Sequence, residues 1–229
     1  MATNKKKGTQ AEAEVGEIVS RSEQFIEKHS KHILYVILGI AAVIALFMGV
    51  RHGYLMPREK KATSALFKGE QYFARDSFAL ALNGNGADYE GFEAIIKEYG
   101  NTKAGNLAKA YAGICHFRLG ELDQAMKNLK AFKGKDQMIS PAVIGLIGDC
   151  YVNMGQAKDA ISYFEKAAKA ANNTVVSPSF LKKAGIAHES LGQFQEAEKA
   201  YTTIKEKYST SMEAADIDKY ITRAKLSAK

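Results

Sequence analysis

Proline and cysteine are scarce in this chain, with three prolines and two cysteines among 229 residues. So few prolines leave helices unbroken, and with plentiful alanine and glycine they favour close-packed helices over sheets. Cys115 and Cys150 make no CxxC spacing, which excludes a disulfide framework. The five histidines (His29, His32, His52, His116 and His188) form no HExxH or other metal-ligand spacing with Cys, Asp or Glu. No nucleophile elbow occurs, and the glycines of NGNG (residues 83–86) lack the lysine and Ser/Thr that complete a phosphate loop. Asp123, Asp159 and Glu196 read as solvated charges on turns or second helices. These absences point away from an enzyme, and they imply neither a cofactor nor a metal.

Charge of one sign is not concentrated either. The net +7 comes from 32 basic and 25 acidic residues, and the basic ones are scattered among acids without interleaved aromatics. Nucleic acid is therefore not an expected partner, while some attraction to anionic lipid remains open.

What the sequence does contain is one long apolar run. Residues 33–50 read ILYVILGIAAVIALFMGV, without charge or proline. Eighteen helical residues span about 27 Å, close to the hydrocarbon thickness of a bilayer. Lys31 and His32 close one end, Arg51 and His52 the other, and Tyr35 and Tyr54 stand near the two interfaces. RHGYLMPRE comes next with no small-residue cleavage site, so the run is expected to be a transmembrane signal anchor contacting membrane lipid. Its orientation is less directly written. Within twenty residues the N-terminal flank carries Arg21, Lys28 and Lys31, and the C-terminal flank Arg51, Arg58, Lys60, Lys61 and Lys68. Literal counting leaves the large domain in the cytoplasm, whereas a signal anchor ordinarily translocates the long C-terminal domain. The second reading is preferred, giving a protein of the inner (cytoplasmic) membrane with its C-terminal domain periplasmic. Ahead of the run, between Gln10 and His32, Val15, Ile18, Ser22 and Phe25/Ile26 form one stripe of a short amphipathic helix, which lies on the membrane, packs on a partner helix or serves as a solvated lead-in.

The rest of the chain repeats itself. AYAGICHFRLGELDQAMKNLKAF, GLIGDCYVNMGQAKDAISYFEKA and KKAGIAHESLGQFQEAEKAYTTI superimpose. Each has a turn glycine (Gly120, Gly155, Gly192) and a mid-helix glycine seven residues earlier (Gly113, Gly148, Gly185). A small residue follows the turn by five (Ala125, Ala160, Ala197), and a large one comes four later (Leu129, Phe164, Tyr201). A turn glycine admits the left-handed conformation that stops a helix, and the small residues let two helices cross closely. Ser140-Pro141 and Ser177-Pro178 predict serine-capped helix starts. The two cysteines fall in register with Ala187 and read as small buried apolar residues.

This pattern resembles the tetratricopeptide repeat, although the signature tryptophan is missing and His116 and His188 replace its tyrosine. The expected fold is all-α: an N-terminal transmembrane helix followed by an α-solenoid of helix pairs. The boundaries read as a polar tail (1–32), the anchor (33–50), a juxtamembrane linker (51–59) and a solenoid (60–229). Within the solenoid, a degenerate pair at 60–99 precedes repeats at about 103–134, 141–171 and 178–208, and a capping helix at 211–228. In the degenerate pair a long first helix is expected from Lys60 to Leu82 and a second from Asp88 to Tyr99, with Phe92 in the place of the small alanine.

The resemblance implies a concave surface lined by the first helix of each pair, and hence protein binding. That surface would carry Leu107, Ala110, Ile114, Phe117 and Arg118, then Ala142, Gly145, Asp149, Val152 and Asn153, then Ser179, Lys182, Ile186, Glu189 and Ser190. Its apolar end is either open or covered by the first pair. A clamp for a C-terminal carboxylate is not expected, because Ala110, Ile114, Leu146 and Ser179 stand at its places and only Lys183 is basic. The order of parts, and Glu90–Ala125 above all, resembles the bacterial ancillary subunit of the Sec translocon. That likeness implies contact with Sec translocon subunits and periplasmic chaperones, as a platform handing over emerging proteins. The alternatives are an envelope-assembly scaffold joining membrane complexes, or a cytoplasm-facing adaptor.

Overall fold

A computed structural model describes residues 29–32 and 34–229, and all its regular elements are helical. Two compact units result, Met1–Pro57 and Arg58–Lys229. The short helix expected between Gln10 and His32 lies, up to residue 28, outside the described residues.

In the first unit, helix α1 runs through residues 34–50. By length and composition it is apolar enough to cross a membrane. None of its side chains is buried: Leu46 is 72% exposed and Val43 69%. Arg51–Leu55 form a π-helical turn and α2 begins at Met56, so the stretch read from sequence as a linker is helical.

The second unit is a succession of helix pairs built from α2 (Met56–Phe73), α3 (Phe78–Asn83), α4 (Phe92–Tyr99), α5 (Lys103–Arg118), α6 (Leu122–Ala131), α7 (Ile139–Asn153), α8 (Ala157–Ala171), α9 (Ser177–Ser190), α10 (Phe194–Lys207) and α11 (Ile217–Ser227). A 3₁₀ turn, Glu213–Asp216, leads into α11.

Each pair is fixed by one contact. A Cβ on Gly148 would stand 2.6 Å from the Phe164 ring, and one on Gly113 2.6 Å from Leu129; Gly185 meets Tyr201 in the same way. Phe164, Leu129 and Tyr201 are at most 1% exposed, so the bare glycine backbone of the first helix is the wall against which the second helix packs its largest side chain. Burying one such side chain contributes roughly 1.5–3 kcal/mol. The turn that brings the helices together is also repeated. Gly155 has φ 73°, and the next amide, Gln156 N, donates to Tyr151 O (2.9 Å), closing a Schellman motif. Glu121 N to His116 O and Gln193 N to His188 O do the same in the neighbouring pairs.

The first pair obeys this scheme with a disguise. The expected helix Lys60–Leu82 stops at Phe73, because Asp76 takes a left-handed conformation (φ 56°) and Ser77 N donates to Tyr72 O (3.0 Å). Asp76 thus does the work of a turn glycine, seven residues after Gly69. Helix α3 and a loop are then inserted, and the second helix starts at Phe92 rather than Asp88. Phe92 is not the small residue of the pair but the large one: fully buried, its ring lies where a Cβ of Gly69 would be. Tyr89 joins it there, and its hydroxyl donates to Ala81 O (2.6 Å), tying α3 into the pair.

Successive pairs are joined at the position three residues after the mid-helix glycine. His116 is 8% exposed, with Nε2 2.9 Å from Glu93 Oε1 on α4 and Nδ1 2.5 Å from Glu121 Oε2 in its own turn. Asn128 Nδ2 donates to the same Glu93 oxygen (3.0 Å). In the next pair the Tyr151 hydroxyl accepts from Lys130 Nζ (3.2 Å), and His188 Nε2 lies 3.6 Å from Glu165 Oε1. The histidines that depart from the repeat pattern therefore serve as polar links backwards to the preceding pair.

The helix starts differ from expectation. Neither Ser140 nor Ser177 caps its helix. Asp136 caps α7 instead, accepting from Met138 N (2.8 Å), Ile139 N (2.5 Å) and the Ser140 hydroxyl (2.6 Å). Ser177 is fully buried and donates to Ala168 O (2.8 Å), joining the end of α8 to the start of α9. At α5, Thr102 Oγ1 accepts from Gly105 N (2.9 Å), and Glu59 of α2 accepts from Lys103 N (2.8 Å) and Ala104 N (3.0 Å). A carboxylate on the first helix so completes the N-terminus of another.

The Ser140 hydroxyl above all, helped by the amides of Met138, Ile139 and Ser140, outweighs the cost of burial and holds the Asp136 pKa at about 2. Because the folded value lies below the ordinary one, this contribution is complete above about pH 4 and is lost as pH falls towards 2. Asp136→Ala is expected to destabilise by about 0.5–1 kcal/mol at neutral pH, solvent screening included. In denaturation series the gap between variant and wild type should close progressively below about pH 4; a gap that persists unchanged would show that the carboxylate is not the cap.

Candidate functional site

Helices α5, α7 and α9 line a groove of about 630 Å³. Leu107, Ala110 and Ile114 come from α5, Ala142 and Leu146 from α7, and Phe180 from α9. Leu107 and Ile114 line the groove and remain partly exposed, while Leu107 and Tyr111 also pack against the core of the first pair. Met138 and Ile139 stand at its mouth, 55% and 48% exposed.

Two charged groups enter the groove, and they satisfy one another. Lys183 Nζ donates to both Asp149 carboxylate oxygens (2.8 and 2.7 Å). The ammonium also lies 5.6 Å from the Phe164 ring centre and 5.9 Å from that of Phe180. At 42% and 26% side-chain exposure the pair adds little to stability; its consequence is that the wall carries no uncompensated charge.

Of the residues expected on the concave surface, Leu107, Ala110, Ile114 and Asp149 meet here, with Ala142 and Ser179. Gly145, also expected there, is buried beneath the Phe180 ring, which occupies the place a side chain would need. Phe117 packs half-buried among the core of α5 to α7. Arg118 places its guanidinium 6.0 Å from the Phe78 ring centre, towards the first pair. Val152 and Asn153 are exposed at the end of α7, where Asn153 Nδ2 donates to Asp149 O (2.9 Å). Ile186 is 46% exposed outside the groove.

Lys182 and Glu189 are turned towards the last helix. Lys182 pairs with Asp216 (2.9 Å) and lies 4.4 Å from the Tyr220 ring centre. Partial burial disfavours its charge, but Asp216 and Tyr220 outweigh that cost and raise its pKa. Glu189 accepts from Arg223 at 3.1 and 2.5 Å, a two-pronged bond that raises the pKa of the guanidinium. Both residues thus hold α11 onto α9.

The groove residues that the repeat register did not indicate are Tyr111, Met138, Ile139, Val143 and Phe180. The one available signal was the apolar Met-Ile just before Ser140-Pro141. Both cysteines are fully buried, and burial raises their thiols to about 12 (Cys115) and about 11 (Cys150), which suppresses the reactive thiolate.

This arrangement of helix pairs around a groove is an α-solenoid. Models of the tetratricopeptide repeat match residues 142–174 and 181–211. No curated protein matches the sequence. Among solved structures, a tetratricopeptide repeat protein from Parabacteroides merdae is similar over 74% of this chain, at 13% identity and a TM-score of 0.58; the chain covers 63% of that protein's length. The MamA protein is similar over 72% of this chain and 91% of its own, at 19% identity and a TM-score of 0.52. A Podosopora anserina protein of nearly identical TPR-like repeats matches 74% of this chain and 87% of its own, at 14% identity and a TM-score of 0.56. At these identities the likeness concerns the fold.

Proposed function

We propose that this protein is a membrane-anchored scaffold that binds other proteins through the groove between α5, α7 and α9. The observation that carries this reading is the open apolar groove on a tetratricopeptide-repeat unit. Its preceding helix α1 has the length and composition of a membrane span and no buried side chain, which favours lipid around it over water. The repeat fold is generally a non-catalytic one, and the groove offers apolar contact rather than activated groups. On this reading the C-terminal unit lies on the periplasmic side of the inner membrane. The resemblance to the Sec ancillary subunit supports a translocon-associated platform that passes emerging proteins to chaperones.

A photocrosslinking residue at Ala142, exposed in the groove, tests the binding role in intact cells. Crosslinks to translocon subunits or periplasmic chaperones are the expected result. Recovery of envelope-assembly factors alone would replace the hand-over role by a structural one. Digestion of the repeat unit by protease added to spheroplasts, with lysis not required, is expected for a periplasmic unit; protection until lysis would make it a cytoplasm-facing adaptor.

A further inference from the structure

We infer that the groove selects an uncharged aliphatic stretch of an extended chain rather than a charged or terminal segment. This inference rests on the proposal that the groove is the partner surface. Three observations lead to it. First, the walls are aliphatic or aromatic on all three helices, from Leu107 and Ile114 through Leu146 to Phe180. Second, the charges that reach the groove, Asp149 and Lys183, are bonded to each other, and the Lys183 ammonium also faces the Phe164 and Phe180 rings. A ligand carboxylate must therefore break that pair to find a cation, and a ligand ammonium must break it to find an anion. Either charge would otherwise be desolvated without a partner, the costly case for a polar group. Third, the rest of the groove lining, Ala110, Ile114, Leu146 and Ser179 among it, holds no second cation. Charge complementarity thus specifies a neutral occupant.

The occupant's length is set by the spacing of the helices. Three packed first helices at about 8–10 Å between axes span roughly 20 Å, or about six residues of extended chain. Met138 at the mouth is unbranched and adaptable, and apolar walls discriminate poorly between one aliphatic side chain and another. The groove is therefore suited to many sequences of one character, as in segments that a folded protein would bury.

The test uses the full chain in lipid nanodiscs and labelled peptides with Gly-Ser ends, read by fluorescence anisotropy. One probe has the centre Leu-Val-Leu-Ala-Val-Leu; two others carry Lys or Asp in place of the central Leu-Ala. The aliphatic probe is expected to bind saturably and at least about tenfold more tightly than either charged one. Ala142→Glu should weaken it by about tenfold or more, whereas Ala142→Leu, apolar at the same exposed position, should retain binding. Lys183→Ala leaves Asp149 unpaired and should raise the affinity of the Lys-centred probe by about tenfold, narrowing its gap to the aliphatic one. Circular dichroism of each variant guards against loss of fold. Equal or tighter binding of the charged probes overturns the inference, as does indifference to Ala142→Glu in a folded variant. Stronger competition by a peptide of residues 10–32, or by a second copy of the chain, would make the groove self-occupied and also overturn it. If crosslinks at Ala142 capture partners while the probes show no aliphatic preference, the scaffold reading stands and this inference falls. Aliphatic preference without any partner in cells would instead count against the scaffold reading.

Discussion

Gly148→Leu is expected to be among the most damaging single substitutions in the repeat unit. Its Cβ alone would stand 2.6 and 2.7 Å from the Phe164 ring, inside any normal contact. Phe164 is 1% exposed and enclosed by Ala160, Ala167, Ala168 and Ala184, so the ring has no vacant volume to enter. Gaining about 1 kcal/mol of helix propensity over glycine cannot offset overpacking of about 1–3 kcal/mol for each poorly accommodated group. The reciprocal change, Phe164→Ala, should cost about 3–5 kcal/mol by leaving a cavity. Combining them is the informative experiment, since the leucine then enters the space the ring vacated. The double variant is expected to be more stable than the sum of the two losses by about 1–3 kcal/mol. Urea unfolding followed by circular dichroism measures all four proteins. Additive losses would mean that the glycine is not the wall against which Phe164 packs.

The second large effect concerns α1. Replacing Ile40 and Ile44 by arginine places two charges near the centre of the apolar run. Each costs about 2.5–3.5 kcal/mol at the middle of a membrane span, so roughly 5–7 kcal/mol together. That is enough to shift insertion by more than about a thousandfold. After alkaline extraction, the wild-type chain should stay with the membranes and the double variant should appear in the supernatant, its repeat unit still helical. A wild-type chain released by the same extraction would end the anchor reading, whatever the variant does.

Much of the fold was legible because a repeat states the same constraint several times. Gly113, Gly148 and Gly185 stand at one register, each seven residues before a turn glycine, and each faces a buried large residue in the structure. The first pair was harder because its turn residue is Asp76 and its second helix is delayed by α3. Gly69, seven residues before Asp76, was the available clue. An aspartate in the left-handed region is rare enough that sequence alone gives it little weight. The serines misled for a related reason. Ser-Pro is a local signal for a helix start, but at these two positions the hydroxyls are drawn into contacts with Asp136 and with Ala168 of the preceding helix.

The candidate groove was only partly legible. Repeat geometry located Leu107, Ala110, Ile114 and Asp149, because those positions follow from helical phase alone. It gave no sign that Phe180 would cover Gly145, or that Lys183 would neutralise Asp149 from the first helix of the next pair. It also set Lys182 and Glu189 on the open surface, where α11 in fact engages both. By itself, then, the sequence determined the helical class, the pairing of helices and the apolar character of residues 33–50, since periodicity and side-chain size act locally. Only the tertiary structure decided where the groove is open and which of its charges are cancelled. Both depend on side chains about 34 residues apart in the chain that meet across neighbouring helices.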